Sequence, residues 1–453
     1  MFTQNGMKTV SKLGISSVAL ALVLSACGGN DNDNSSGASA GASAGSANGG
    51  EKVKLRMIES LTSDTRTAML QSMIDAFEKA NSNIDVELIS PPFDQADNKI
   101  RTMLSAKEDI DIVEARDLNV AEFVNNGYLE PLNEFTKNWS EFSTMTKTAL
   151  DVGSIGDKLY FISNGLYQRQ LFYRADWLKE AGIEVPKTYE DLVNASIKLT
   201  DKSKNRYGFS FRGGSGANGV PDAMVLAYNG ADVNTNDAMF LNSGKSIYSS
   251  PAAKQAVDLY VKLFKEGSPA DSVGWGFSEQ VQAFTSGVTA FLLQDPDVIN
   301  TLKDSMEEGT WATAPMPVGP TGVALINSGG AGWAVTSFSE KKDAAWKLIE
   351  FLSSNEQNVE WSKSYGTIPI HSTATEDEFF KSGPYKTLLD MTADAKTFVS
   401  YKAPFNYPAN GKFGTVSMET GQQMLLGKAT VEETLAKWDK FWVDAKAELE
   451  AAK

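Results

Sequence analysis

Strand-like and helix-like patterns alternate over the first part of the folded chain, and this alternation restricts the possible folds more than any other feature. Apolar and charged residues alternate over 53–57, and apolar residues return at 86–88 and 109–114, which predicts three strands. Apolar residues at helical spacing predict two helices between them, the first capped by Ser63 or Asp64. This order predicts an α/β fold, with a parallel sheet and helices on its faces.

The residues that follow the first and third predicted strands are candidate ligand contacts, because ligands of parallel sheets bind beyond the carboxyl ends of the strands. Glu59 and Ser60 follow the first strand. Arg116 and Asp117 follow the third strand. For the second pair, the alternative is two solvated loop residues that touch no ligand.

The same patterns continue along the chain. A strand is predicted over 207–211 and an amphipathic helix over 252–264. Ser339 is predicted to cap a later helix, and Thr430 with Glu433 forms the spacing of a capping box before a last one. The region therefore contains enough elements for two or more domains.

Composition excludes several classes of function. The chain has 453 residues and a net charge of −15, which argues against binding to nucleic acid. A Ser-His-Asp site would depend on His371, the only histidine, and the residue counts exclude a zinc site of Cys/His type. No P-loop or Rossmann fingerprint is found, and no cofactor or metal is expected. A glycosidase needs only two carboxylates, and the sequence leaves that class open.

The N-terminus carries the pattern of an export signal. Lys8 and Lys12 precede the apolar stretch 13–24, which is shorter than the roughly 20 residues that span a bilayer. Residues 24–27 read LSAC and resemble the bacterial lipobox, in which the cysteine sulfur takes a diacylglycerol and becomes the first residue after cleavage. Cys27 is the only cysteine in the chain. The alternative is an ordinary secretory signal that happens to contain a cysteine.

Residues 28–50 contain Gly, Ser, Ala, Asn and Asp without a large apolar side chain, which is typical of a flexible coil. We therefore predict a lipoprotein signal peptide over 1–26 and a lipidated flexible linker over 27–50. The linker would tether the folded body to the membrane by a lipid on Cys27.

Several segments, in order, resemble one protein family. The segment 283–291 reads AFTSGVTAF and is similar to the A-F-x-x-G-x-x-A-[MF] pattern of the family 1 extracellular solute-binding proteins, the sugar receptors of ABC importers. The segments AFEK at 76–79, GYLEPL at 127–132, FYRADW at 172–177 and GGAGWAV at 329–335 agree with that family in order and spacing. The resemblance covers nearly all of the chain after residue 50.

The resemblance implies a two-lobed fold of the type II periplasmic-binding-protein class, with a hinge and a ligand cleft between the lobes. Lobe 1 is expected over 51–162 and 326–370, and lobe 2 over 163–325 and 371–453. It also implies a receptor that captures a sugar and delivers it unchanged to the permease subunits of an ABC transporter. We expect an oligosaccharide, because several aromatic residues are available for more than one sugar ring. We expect a monomer on the outer face of the cell membrane of a Gram-positive bacterium.

Aromatic side chains are the first class of candidate sugar contacts, because the C–H faces of pyranoses pack on aromatic rings. Tyr167 lies near an expected crossing between lobes, and Trp275 lies between two glycines. Phe405 and Tyr407 lie in an irregular segment where the family often places an aromatic wall. Tyr167 could face either lobe, and the other three could instead belong to a core. For Trp333, which lies in a predicted strand, the core is the stronger interpretation.

Charged side chains are the second class. Arg212 begins a Gly-rich turn that matches a ligand-contacting loop of the family. The sequence Asp295-Pro296-Asp297 stands where the family has G-P-W. This departure puts aromatic stacking at that position in doubt, and Asp297 could instead accept hydrogen bonds from hydroxyl groups.

Three other functions remain open from the sequence. A surface-anchored polysaccharide hydrolase would need two of the many carboxylates. A receptor for a non-sugar solute would share the same fold. A purely structural surface protein would not need aromatic residues in the loops between lobes.

Overall fold

A computed structural model describes residues 52–451 of the chain. The predicted signal peptide 1–26 and linker 27–50, with Cys27, lie outside the described residues. The strands are β1 Val53–Ile58, β2 Ile84–Ile89, β3 Ile112–Arg116, β4 Ser154–Ile155, β5 Lys158–Leu159, β6 Ile162–Tyr167, β7 Gln170–Arg174, β8 Tyr207–Phe209, β9 Thr289–Gln294, β10 Trp311–Ala314, β11 Ala324–Ile326, β12 Gly329–Val335 and β13 Phe398–Ser400.

The α-helices come between these strands and after them. They are α1 Asp64–Ala80, α2 Phe93–Ala106, α3 Val120–Asn125, α4 Asn133–Thr136, α5 Lys147–Val152, α6 Ala175–Ala181, α7 Tyr189–Leu199, α8 Gly219–Asn229, α9 Pro251–Gly267, α10 Phe277–Thr285, α11 Ile299–Ser305, α12 Lys342–Leu352, α13 Asn355–Trp361, α14 Gly383–Ala393, α15 Asn410–Leu425 and α16 Val431–Ala451.

The first sheet has the strand order β2-β1-β3-β12-β6. Strands β1, β2 and β3 are parallel, as the alternation of strands and helices predicts. The other side of this sheet differs, because β12 runs antiparallel to both β3 and β6. Strand β12 follows β3 after a long excursion of the chain, so no single crossover helix fixes its direction.

The second sheet has the order β10-β7-β9-β8. Strand β7 is antiparallel to both of its neighbours, and β8 is parallel to β9. The predicted strand over 207–211 ends two residues earlier, and the predicted helix over 252–264 is the core of α9. Strand β9 is buried along its whole length, as expected for a central strand that is covered on both faces.

Two hydrophobic clusters form around these sheets. The first core draws its members from 55–166 and 333–370. The second core draws its members from 171–326 and 380–445. The chain thus passes between the cores at three places, and the exact limits of the expected lobes stay a prediction.

The predicted helix caps have different outcomes. The Ser63 side chain accepts a hydrogen bond from the Arg66 backbone and caps α1, and Thr430 and Glu433 form the capping box of α16. The cap predicted at Ser339 is wrong, because α12 begins three residues later, at Lys342. The Ser339 hydroxyl instead donates to the buried Asp111 carboxylate at 2.6 Å.

Within residues 52–451, none of the helices combines the length and the apolar character that a membrane-spanning segment needs.

Candidate functional site

A cavity of about 560 Å³ lies between the two cores and is lined by residues that belong to the elements of both. Its volume is within the range of ordinary small-molecule sites. On the side of the first core, it is reached from the carboxyl ends of β1 and β3, through Leu61 and Arg116. The rule for parallel sheets therefore selects the correct edge of the first sheet.

The structure brings a subset of the predicted site residues to this cavity. Those that line it are Arg116, Asp117, Tyr167, Arg212, Asp295, Asp297 and Phe405. Those in the described part of the chain that do not line it are Glu59, Ser60, Trp275, Trp333 and Tyr407. Contact of any of the lining residues with a ligand stays a prediction.

Trp333 and Tyr407 are core residues rather than cavity residues. Trp333 is 1% exposed, and its ring packs edge-on against Trp361 at 6.0 Å. It lies in β12, which is buried on both faces. Tyr407 is 2% exposed, and its hydroxyl donates to Asp237 at 3.0 Å. This second core extends under the irregular segment, which explains why an aromatic residue there does not reach the cavity.

Glu59 and Ser60 point into the first core. The Glu59 carboxylate accepts hydrogen bonds from Arg66 at 2.8 Å and from Thr67 at 2.6 Å. The Ser60 backbone N–H donates to Glu114 at 2.7 Å. Their position at a strand end is as predicted, but buried partners on α1 and β3 turn both side chains away from the cavity.

Trp275 is also outside the cavity lining. Its indole N–H donates to the Asp271 carboxylate at 3.3 Å, and its backbone carbonyl accepts from Gly214 at 2.8 Å. The residue therefore holds the Gly-rich turn against the segment before α10. The flanking glycines predict an irregular backbone correctly, but they do not predict the direction of the ring.

Four carboxylates line the cavity, and the sequence pointed to only three of them. Burial raises the pKa of Asp117 to about 6, although the carboxylate accepts from the Gly330 N–H at 2.8 Å. Burial also raises the pKa of Asp222 to about 6, while Tyr248 donates to it at 2.7 Å. Asp222 lies in the first turn of α8, and only its proximity to Gly219 in the sequence could have suggested a cavity role.

Asp297 is the most perturbed of these acids. Burial and the neighbouring charge of Asp295 raise its pKa to about 7. Its Oδ1 atom has no hydrogen-bond partner among the described residues. A ligand that donates a hydroxyl hydrogen to this atom would therefore satisfy a buried acceptor.

Three arginines face these acids. Arg116 pairs with Asp97 at 3.0 Å, and the Nε atom of Arg169 lies 3.9 Å from Asp295. Arg212 has no ion-pair partner in the part of the chain that the structure describes, and its Nε donates to the Ser215 carbonyl. Burial and the charge of Arg169 lower the pKa of Arg212 to about 10, so it stays a cation at neutral pH.

Two glycines allow Arg169 and Arg212 to lie against the backbone. A Cβ atom at Gly219 would stand 2.2 Å from the Arg169 guanidinium. A Cβ atom at Gly216, whose φ is +81°, would stand 2.5 Å from the Arg212 guanidinium. A larger residue at Gly216 in the Gly-rich turn, or at Gly219 at the start of α8, would clash with an arginine side chain. This steric requirement adds to the flexibility that the sequence suggests.

The segment 403–411 connects the two sides of the cavity. Phe405 packs against the first core, whereas Tyr407 two residues later belongs to the second. At Gly411, a Cβ atom would lie 2.9 Å from the side chain of Asn119, which immediately precedes α3. The segment therefore lines the cavity and contacts both halves of the fold.

The raised pKa of Asp297 predicts a stability effect. Because the folded-state pKa lies above the usual value of 3.8, the folded chain binds more protons, and the stability it contributes is lost as the pH rises through about 7. Asp297→Asn is therefore expected to raise the free energy of unfolding of the ligand-free protein by about 2 kcal/mol at pH 8 and by little at pH 4.

Urea unfolding at the two pH values measures this effect. Asp258→Asn is the control, because this carboxylate forms an exposed helix-surface pair with Lys254 at 2.7 Å. Equal effects of Asp297→Asn at both pH values, or a loss of stability at pH 8, would show that Asp297 is not a desolvated acid.

The chain is similar in sequence to several known proteins. The profile of a family described as "Bacterial extracellular solute-binding protein" matches residues 62–359. A binding protein of Brucella abortus (strain 2308) is 25% identical over 406 residues, which cover 87% of this chain and 94% of that protein. The diacetylchitobiose-binding protein of Streptomyces coelicolor is 22% identical over 375 residues, which cover 80% and 81%.

A solved structure shares the fold. The maltose-bound MalE3 protein of T. maritima superposes with a TM-score of 0.75 and 21% identity, and the match covers 88% of this chain and 100% of that one. The two-lobed fold class expected from the sequence is thereby confirmed.

Proposed function

Because this chain belongs to the bacterial extracellular solute-binding proteins, we propose that it captures a sugar or polyol in the cavity between its two cores and delivers it to an ABC transporter. The names of several relatives support this ligand class, among them binding proteins for mannitol and for diacetylchitobiose. We further propose an oligosaccharide, because aromatic side chains occur along much of the cavity wall.

The observation that carries the proposal is the combination of groups at one cavity. Aromatic rings of Tyr365, Tyr401 and Phe405 line it together with Arg212 and Asp297. A sugar presents C–H faces that pack on aromatic rings and hydroxyls that bond to charged groups. A single ligand of that class would occupy both kinds of wall and bridge the two cores.

The proposed receptor works by closing around a ligand that bridges the two cores. Contacts to both sides of the cavity favour the conformation in which the two lobes are closed, and a transporter can distinguish that conformation from the empty one. The chain crossings between the cores at 167–170 and 327–332 would then act as the hinge. No step of this process changes a covalent bond of the ligand.

A thermal-shift panel of monosaccharides, polyols and oligosaccharides on residues 51–453 tests the proposal, followed by calorimetry on each ligand that stabilises the protein. Saturable binding of a sugar that is recovered unchanged is the expected result. Product that accumulates over hours would indicate a hydrolase, the alternative that the carboxylates allow. If only an amino acid, a polyamine or phosphate shifts the melting temperature, the ligand class is wrong.

The proposed setting follows from the N-terminal pattern. We propose that the mature protein begins at Cys27 and is held by its lipid at the outer face of the membrane of a Gram-positive cell. A receptor that is tethered by a flexible segment stays near its permease, whereas an untethered one would diffuse away. We propose a monomer, since one cavity between two lobes forms a complete site.

A further inference from the structure

Arg66 forms a buried ionic cluster directly behind the cavity wall of the first core. Its Nη1 atom donates to Glu59 at 2.8 Å, and its Nη2 atom donates to Glu114. All three side chains are fully buried. None of the three residues lines the cavity, so the cluster does not take part in the site through direct contact.

Arg66 and Glu114 form the ion pair at the centre of this cluster. Burial alone would raise the pKa of Glu114, but the charge of Arg66 and hydrogen bonds from the Ser60 and Leu61 backbone outweigh it and lower the pKa. The Arg66 guanidinium therefore lies in the core between the carboxyl groups of Glu59 and Glu114. Buried ionic clusters seldom stabilise a fold more than apolar packing would. Stability alone therefore does not explain this cluster.

Glu114 holds the first of two chain segments that line the cavity. One carboxylate oxygen accepts from the backbone N–H groups of Ser60 at 2.7 Å and Leu61 at 3.1 Å. The other oxygen accepts from Asn164 at 2.6 Å. Leu61 and the two residues after it line the cavity, and Glu114 therefore fixes the turn between β1 and α1 that carries them.

Arg66 supports the second segment. Its guanidinium lies over the Trp361 ring at 4.7 Å and over the Tyr365 ring at 5.2 Å. Tyr365 lines the cavity, and it lies in the single π-type turn Ser362–Gly366 that follows α13. The Tyr365 ring also packs against Trp361 at 5.5 Å and Tyr167 at 6.4 Å, and the cation of Arg66 adds to these contacts from the core side.

We propose that Arg66 and Glu114 are positioning residues, which hold the turn at Leu61 and the ring of Tyr365 in place as the first-core wall of the ligand site. This proposal rests on the proposed function, because the wall has a role only if a sugar binds in the cavity. It assigns to Glu59, predicted as a ligand contact, an indirect role as the second anchor of Arg66. Each residue acts through the groups it holds, and neither touches the ligand.

Hydrogen exchange of the ligand-free protein tests the positioning without any ligand. Arg66→Lys keeps the charge but cannot bridge two carboxylates and stack on two rings at once, and Glu114→Gln removes the charge but keeps an acceptor. Both variants are expected to exchange at least tenfold faster at 58–64 and 361–367 than the wild type does. Asp111→Asn is the matched control, because this carboxylate is also buried and paired, with Lys341 at 3.0 Å, at the opposite end of β3.

Unchanged exchange at the two segments in Arg66→Lys and Glu114→Gln would overturn the proposal, and so would an equal change in Asp111→Asn. Calorimetry with the sugar that binds the wild type most tightly is the second readout. We expect at least a tenfold loss of affinity in Arg66→Lys and none in Asp111→Asn. Faster exchange at the two segments together with wild-type affinity for the sugar would show that this wall does not contribute to sugar binding. Absence of sugar binding to the wild type would refute the proposed function, while the exchange result would still decide the positioning.

Discussion

Arg212→Ala is expected to weaken sugar binding by about 30-fold, since hydrogen bonds to a charged group contribute about 1.5–3 kcal/mol and each 1.4 kcal/mol is a factor of ten. Arg212 lines the cavity and has no ion-pair partner within residues 52–451. Its guanidinium is held over the Phe277 ring at 5.8 Å and lies against Gly216. A ligand hydroxyl would thus meet a cation that is already oriented and partly desolvated.

Calorimetry with the best sugar of the panel measures the effect, and thermal unfolding establishes that the variant is folded. Arg212→Lys is expected to recover only part of the affinity, because an ammonium cannot donate two parallel hydrogen bonds. Arg206→Ala is the control, because this arginine packs over Trp177 at 4.1 Å in the same core and does not line the cavity. Wild-type affinity in Arg212→Ala would refute a role of this residue in the site.

The sequence predicts those parts of the molecule that depend on local patterns. The strands and helices of 53–116 and the capping box at Thr430 depend on neighbouring residues, and they are confirmed. The family and the two-lobed fold are confirmed as well, because ordered segments along the whole chain carry them. The antiparallel direction of β12 depends on a distant pairing with β3, which no local pattern predicts.

The same distinction between local patterns and distant contacts applies to the candidate site. Strand ends and turns identify a position beside the cavity, but they do not identify the direction of a side chain. Glu59 turns inward because Arg66, in the first turn of α1, binds it, and Trp333 turns inward because β12 is covered on both faces. Asp222 and Arg169 were missed, since their local sequence, apart from the nearby Gly219, does not distinguish a cavity charge from a surface charge.

Cys27→Ala is expected to release the protein from the membrane entirely. In the proposed lipoprotein, the sulfur of Cys27 carries the only anchor, and residues 52–451 offer no helix that could replace it. The full chain, expressed in a bacterium that processes lipoproteins, is expected to label with a fatty-acid analogue and to enter the detergent phase of a Triton X-114 extract. The variant is expected to do neither.

Ser25→Ala is the matched control, because alanine and serine are both allowed at that position of the lipobox, so labelling should persist. Because the chain contains no other cysteine, any lipid bound through sulfur must be on Cys27. Mass spectrometry of the mature N-terminus gives an independent readout, with a lipidated Cys27 as its first residue. Membrane association that survives Cys27→Ala would mean that another contact holds the protein, and an unmodified N-terminus downstream of Cys27 would indicate an ordinary secretory signal. In either case, residues 28–50 would no longer have to act as a tether, and the sugar site could still be tested on residues 51–453.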